Sequence, residues 1–287
     1  MLISIVLELE SEKDGVLPGE LGHAAYAALL ARLHQVHPRL AADLHNGSGP
    51  KPLTCSGLLN GRPGQAQRSL RRGQRAQVRV TGLTKAVGQA LLEALVERPP
   101  TTWSLHDHPF RVVASMFDAA AHPWSGQTEY ERLAAGVMAQ VGQLARQVTR
   151  EFTSPTCFKL AEGMHMPVPL PALVFGSLAE RWNAFSPVAL SAELRQFCQS
   201  GLAISAFRLS SVPVNQKAGA LRIGGQGRVT YRVLSDDPYW LAAVNILADF
   251  ALYSGVGIQT AMGMGQARRV DRVARPTRPD TAAACAA

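Results

Sequence analysis

The segment best suited to binding chemistry is Gly255-Val-Gly-Ile-Gln-Thr-Ala-Met-Gly-Met-Gly265, followed by Gln266, Ala267, Arg268 and Arg269. Glycine at 255, 257, 263 and 265 lets backbone N–H groups approach an anion closely. Gln259 and Thr260 would add side-chain donors, and the two arginines would add charge. The same glycines would equally serve a turn that needs them for conformation alone. The segment lacks the G-K-[ST] of a P-loop, and Thr260 stands where a dinucleotide fingerprint needs its third glycine.

The histidines are the other groups that could do chemistry. His106 and His108 flank Asp107, which suggests a metal or a polar turn; the turn is the better reading because no third ligand is identifiable. Tyr26, Leu30, His34 and His37 follow one another at helical steps, so they share one face of a helix. His23 reads as a surface residue, His122 before Pro123 as loop, and His165 between two methionines as a nucleic-acid contact or a packing residue. There is no Gly-x-Ser-x-Gly, and no tight acidic cluster of the kind a two-metal nuclease needs. Asp236-Asp237 reads as a loop or a helix cap. No metal or cofactor is therefore expected.

Composition narrows the classes. With 287 residues, 47% hydrophobic and 17% charged, the chain is neither disordered nor collagen-like and is long enough for two small domains. The four cysteines, at 55, 157, 198 and 285, are scattered and make no C-x-x-C, which fits a reducing compartment. No basic region precedes the apolar N-terminus, and no apolar run approaches the roughly 18 residues of a membrane span, so a cytoplasmic protein without membrane contact is expected. The net charge is +8 and is unevenly placed. Two acid-free windows, Asp43 to Glu93 and Glu193 to Asp236, hold 14 of the 29 basic residues, which leaves the remainder at −6. They include Arg62, Arg68, Arg71, Arg72, Arg75 and Arg79 in the first and Arg208, Lys217, Arg222 and Arg228 in the second. Such clustering fits a phosphate backbone, although unrelated solvated loops would look the same.

The elements that position these groups follow from periodicity. A buried strand around Ile3 to Leu9 leads to a helix from about Leu21 to Leu44, with its stripe at Leu29, Leu33, Val36, Leu40 and Leu44 and a break or kink at Pro38. Strands near 53–56 and 76–80, a helix over 85–96 and a strand over 110–117 complete a strand-helix-strand-strand-helix-strand order. After a helical stretch at 128–147, nearly the same order recurs: a strand at 148–152, helices at 171–185 and 192–202, strands at 203–212 and 227–233, a helix at 238–253 and a strand at 266–270. The fold class is α+β: tandem ferredoxin-like domains, each a βαββαβ antiparallel sheet with helices on one face. The boundaries are 1–127, a linker at 128–147, 148–274 and a tail at 275–287.

Several segments, in the order they occur, carry a resemblance. They are Leu44-His45 followed after five residues by Lys51-Pro-Leu-Thr-Cys-Ser56, then Thr153-Ser-Pro-Thr-Cys-Phe-Lys159, Pro169-Leu-Pro-Ala-Leu-Val-Phe175, Arg181-Trp-Asn183 and the glycine segment. Together they resemble the CRISPR-associated endoribonucleases that cut precursor CRISPR RNA, the sixth Cas protein family of the RAMP superfamily. Members have two ferredoxin-like domains, which agrees with the element order.

The resemblance implies metal-independent cleavage by a 2′-hydroxyl, leaving a 2′,3′-cyclic phosphate and a 5′-hydroxyl. It places His45 at the family's histidine, as general acid or base, and Lys51 at its lysine, as electrostatic stabiliser. Some members carry a tyrosine where this chain has Leu30, so His37, His34 or Tyr26 would substitute. The expected partner is CRISPR repeat RNA, often a stem-loop, held by the glycine segment, Lys159 and Arg68, Arg71, Arg72 and Arg75. Other effector-complex subunits and a second copy of the chain are further expected partners. Two alternatives are a non-catalytic RNA-binding subunit of a CRISPR ribonucleoprotein and a general ferredoxin-like RNA-binding protein.

Overall fold

The computed structural model describes residues 1–59, 64–215 and 221–271, so Arg62, Lys217, Cys285 and the tail expected at 275–287 lie outside the described residues. The first half contains β1 (Leu2–Ser11), β2 (Gly15–Pro18), α1 (Gly22–Val36), α2 (Pro38–Asn46), β3 (Leu53–Leu58), β4 (Gln67–Leu70) and β5 (Arg75–Gly82). It continues with α3 (Lys85–Leu92), β6 (Thr102–Leu105), β7 (His108–Met116) and β8 (Gly126–Thr128). The main sheet runs β3-β5-β1-β7-β6, every neighbour antiparallel, with β8 paired to the start of β1. Leaving aside the added β6, this is the ferredoxin-like order expected from the sequence.

After α4 (Tyr130–Met138), the second half has β9 (Gln147–Thr156), β10 (Phe158–Lys159), β11 (His165–Met166), α5 (Pro171–Phe185), α6 (Leu194–Ser200), β12 (Leu202–Asn215), β13 (Leu221–Val233), α7 (Pro238–Ser254) and β14 (Ala267–Arg269). Its sheet order, β12-β13-β9-β14, repeats the first arrangement. The helical stretch anticipated over 128–147 is shorter, because α4 ends at Met138 and a single 3-10 turn follows. The β2–β4 ribbon and strand β6 are additions; four-residue strands are too short to show a period.

Pro38 does break the first helix. Val36 ends α1 and Pro38 becomes the first residue of α2, where its missing N–H has no helical partner to lose. Just before α3, Thr84 is the N-cap and accepts from the Val87 N–H at 3.3 Å. His106 and Asp107 form the two-residue β6–β7 turn, with φ of 52° and 61°, which is the polar-turn reading of that trio. His108 lies buried beyond it, with its Nε2 2.6 Å from Ser11 Oγ.

Strand β1 is buried from Leu2 through Leu7 without alternation, because both faces are covered. Ile3, Ile5, Leu7 and Leu9 meet Leu29, Leu33 and Leu91 of α1 and α3. The other face meets α7, a helix buried nearly all round from Leu241 to Ser254. Leu2 and Leu83 consequently join the core built on Trp182 and Phe250, while Ala261 joins the first core. Burying a leucine side chain contributes about 2 kcal/mol, so these exchanged residues help fix the two units against each other.

Candidate functional site

The short helix α2 carries the residues with proton-transfer chemistry. His45 lies in its last turn and is exposed. The final carbonyls of a helix have no partner within it, and Lys51 supplies one: its Nζ donates to the carbonyls of Leu44 (2.6 Å), Gly47 (2.7 Å) and His45 (3.3 Å). A cation there also meets the negative end of the helix dipole. From α1, the buried Tyr26 hydroxyl donates to the same Leu44 carbonyl at 3.3 Å. The fold thus brings Tyr26, His45 and Lys51 to one helix end, and His45 is the member whose side chain is exposed. An exposed imidazole is free to give a proton to a bound substrate or take one from it.

His34 and His37 are not part of this group, and the single helical face expected for them does not form. The break at Pro38 removes His37 from α1, and along α1 Tyr26 turns into the core while His34 faces out. His37 Nε2 lies 3.0 Å from Glu93 Oε2, and Glu93 also pairs with Arg98. It is eight residues from His45, about 12 Å along a helix axis.

The glycine segment is a succession of turns, with positive φ at Gly255, Gly257, Gly263 and Gly265. It is wedged between the two units, largely buried, and its amides donate to protein acceptors. Ile258 N–H reaches Cys157 O (3.0 Å), Gly263 N–H reaches Cys55 O (2.9 Å), Gly265 N–H reaches Pro155 O (3.0 Å) and Gln266 N–H reaches Ser154 Oγ (2.9 Å). Glycine is required at 257 on two counts: φ is +79°, and a Cβ would sit 2.3 Å from Cys157 O. Gln259 adopts φ +54°, and its carbonyl accepts from Met262 and Met264. Thr260 Oγ1 accepts from Arg181 at 2.7 Å, while Arg181 also donates to the carbonyls of Gly257 (2.7 Å) and Ser254. The 153–159, Arg181-Trp-Asn183 and glycine motifs are therefore parts of one interlocked assembly. Asn183 completes it by exchanging hydrogen bonds with Leu190, at 2.9 and 2.8 Å.

Several arginines expected on a polyanion are engaged elsewhere. Arg269 pairs with Asp249 and Asp271 and its side chain is 5% exposed, which removes it from any surface contact. Arg75 faces Glu10 across β1–β5 and pairs with Glu8 and Glu10. Arg68 is half-buried beside Glu20; burial lowers the arginine and raises the carboxyl. Arg71 and Arg72 remain exposed on the turn before β5, with the Arg72 amide held by Asp14 at 2.7 Å. Lys159 is exposed on β10 opposite His165, whose pKa is lowered by burial and then by Arg222 and Lys159. If Arg71 and Arg72 each neutralise a phosphate, alanine at either should reduce the slope of log affinity against log salt by about 1. Fluorescence titration of an RNA ligand at several salt concentrations reads this, and an unchanged slope counts against RNA binding by that turn.

A cleft of about 540 Å³ lies between the units, lined by Ser56, Arg68, Trp124, Glu151, Arg208 and Arg228 among others. Beside it Arg79, expected on a surface window, is fully buried and donates to Ser4 Oγ (2.9 Å) and to Gln266 Oε1 (2.6 Å) in the other unit. Burial pulls its guanidinium down to about 9. Arg79 and Arg268 each place a guanidinium over the Trp124 ring system, 4.9 Å from a ring centroid. Arg268 in turn chelates Glu151 at 2.9 and 2.8 Å, and Arg228 takes the other carboxylate oxygen. Neither Arg79 nor Glu151 has a sequence signal: the alternation Ala76-Gln77-Val78-Arg79-Val80 places Arg79 on an outer face, and only the packing of the second unit buries it.

Burial alone would raise the Glu151 carboxyl, but the hydrogen bonds from Arg228 and Arg268 outweigh it and the net pKa falls below the ordinary 4.5. A lowered folded-state pKa stabilises fully above the unfolded value, and the contribution disappears as pH falls through the folded value. Urea unfolding at pH 7 and pH 3 should therefore show Glu151→Gln losing less stability on acidification than the native chain. Equal losses would exclude this coupling.

Among the described residues, no group of three His, Cys, Asp or Glu is placed to hold a metal ion, and no helix is long and apolar enough to cross a membrane. Burial pushes the thiols of Cys55 and Cys198 up to about 12, which makes them poor nucleophiles.

Residues 151–267 match the profile of the CRISPR-associated endoribonuclease Cas6 family. A CRISPR-associated endoribonuclease Cas6 of Mycobacterium tuberculosis is 37% identical over 134 residues, which is 43% of this chain and 40% of that protein. The match thus spans about two fifths of the curated relative's length. Among solved structures, a Cas6 product complex superposes with a TM-score of 0.77 at 30% identity, covering 94% of this chain and all of that one. Thermus thermophilus Cas6 gives 0.73 at 28% identity, covering 94% and 98%.

Proposed function

Because this chain belongs to the family of CRISPR-associated endoribonucleases Cas6, we propose that it cuts CRISPR repeat RNA in precursor transcripts, with His45 as the proton-transfer group. The 2′-hydroxyl next to the scissile phosphate attacks phosphorus, forming the P–O2′ bond while the P–O5′ bond breaks. The hydroxyl proton passes to a base and the departing 5′-oxygen gains a proton, leaving a 2′,3′-cyclic phosphate and a 5′-hydroxyl. One imidazole suits either transfer, because a ring nitrogen that accepts the proton can afterwards donate it.

The observation that carries this reading is the exposed His45 on the last turn of α2, gripped from behind by Tyr26 and Lys51. The repeat is held along its backbone, with the Arg71-Arg72 turn and Lys159 as the exposed cations nearest the expected roles. A repeat stem-loop should be cut equally well in EDTA, and mass spectrometry of the 5′ fragment should show a cyclic phosphate end. Activity that disappears on chelation and returns with Mg²⁺, or a linear 5′-phosphate on the 3′ fragment, would overturn the chemistry. Tight binding without any cleavage would favour a non-catalytic RNA-binding subunit.

A further inference from the structure

We propose that Lys51 and Tyr26 are positioning residues for His45, acting through the backbone of the α2 C-terminal turn rather than on the RNA phosphate. The inference rests on the proposed role of His45. Three observations carry it. The Lys51 ammonium has three donors, and three carbonyls, those of Leu44, His45 and Gly47, lie 2.6 to 3.3 Å from it. The Tyr26 hydroxyl donates to the Leu44 carbonyl from inside the core, where the residue is 8% exposed. Burial raises its pKa, which keeps it a neutral donor.

Both groups therefore donate to the carbonyl of the peptide immediately before His45. The short α2 needs such help: it has nine residues, begins at Pro38 and is followed by Gly47-Ser-Gly-Pro50, a segment with little structure of its own. Without the grip the last turn would fray and His45 would sample many positions. An ammonium whose donors are all directed at helix carbonyls cannot at the same time chelate a phosphate. Lys51 thus departs from the stabiliser role that the resemblance implies.

A double-mutant cycle tests this in single-turnover cleavage of a repeat RNA at saturating protein. Lys51→Met should slow cleavage about 10- to 100-fold, the size expected when a catalytic group is displaced by around an ångström. In a His45→Ala background the same change should alter the residual rate less than about 2-fold, because its effect runs through His45. RNA affinity should stay constant. Without RNA, amide exchange at Gly47, whose N–H donates to Asp43 O at 2.8 Å, should accelerate in Lys51→Met.

An equal fold-loss in both backgrounds would show that Lys51 acts on the substrate directly, and an unchanged rate in the native background would show that the grip is not needed; either overturns the proposal. If Lys51→Met fails to unfold cooperatively, Tyr26→Phe is carried through the same cycle, with the same non-additivity expected and the same multiplicative result fatal. A His45→Ala chain that cuts at the native rate would overturn the proposed function together with this inference. Multiplicative effects with a His45→Ala chain that is slowed but still cuts measurably would overturn the inference alone.

Discussion

Replacing His45 with alanine is expected to slow single-turnover cleavage of a cognate repeat by about 10²- to 10⁴-fold, the usual range for losing a positioned general acid or base. RNA affinity should change little, because His45 is one exposed side chain on a helix end and the exposed cations lie elsewhere. Thermal unfolding should be unaffected as well, since the substitution touches no buried group and alanine suits a helix. A rate that falls with affinity and melting temperature intact assigns the loss to chemistry. Rate and affinity falling together would instead make His45 an RNA-binding residue.

The largest stability effect is expected from Arg181→Ala. Three acceptors converge on that guanidinium: the carbonyls of Ser254 and Gly257 and the Thr260 hydroxyl. A hydrogen bond to a charged donor contributes about 1.5–3 kcal/mol, and its removal strands partly buried acceptors, so a loss of about 3 kcal/mol or more is expected. At this chain length that lowers the melting temperature by roughly 6–12 °C. Arg181→Lys should recover only part of it, since an ammonium cannot reproduce the planar fork. Gly257→Ala should be comparably damaging, because its Cβ would lie 2.3 Å from Cys157 O at a φ that favours glycine. A melting temperature unchanged in Arg181→Ala would mean that the interlocked assembly is not a stabilising unit.

These two expectations separate what the motifs do. Glycine-rich and arginine-rich segments suggest phosphate binding, yet here the glycines let the chain turn repeatedly in the narrow space between two units. Arg181 holds those turns in place. The glycine segment ties the second unit to the first, and the Arg79 bond to Gln266 adds to the same interface.

Much of the fold was legible in the chain. The repeated strand-helix-strand-strand-helix-strand order, the break at Pro38 and the buried first strand follow from local rules: hydrophobic period, the missing proline donor and helix-stop signals. The closeness of His45 to Lys51 was also readable, since five residues separate them. The short β2–β4 ribbon and β6 carried too little pattern to be seen.

What only the tertiary structure decided concerns groups whose partners are distant in sequence. The acid-free windows are acid-free only along the chain; strand pairing sets Arg75 against Glu10 of β1, and sheet formation sets Arg228 against Glu151 of β9. Lys51 has the charge of a phosphate ligand, and only the fold places three carbonyls of the α2 end within 2.6 to 3.3 Å of its ammonium. Sequence determines which side chains carry charge and which residues tolerate a positive φ, because those are properties of single residues. Whether a charge is free for a substrate depends on what the rest of the chain places within about 3 or 4 Å of it, the hydrogen-bond and ion-pair range, and that is a property of the folded molecule.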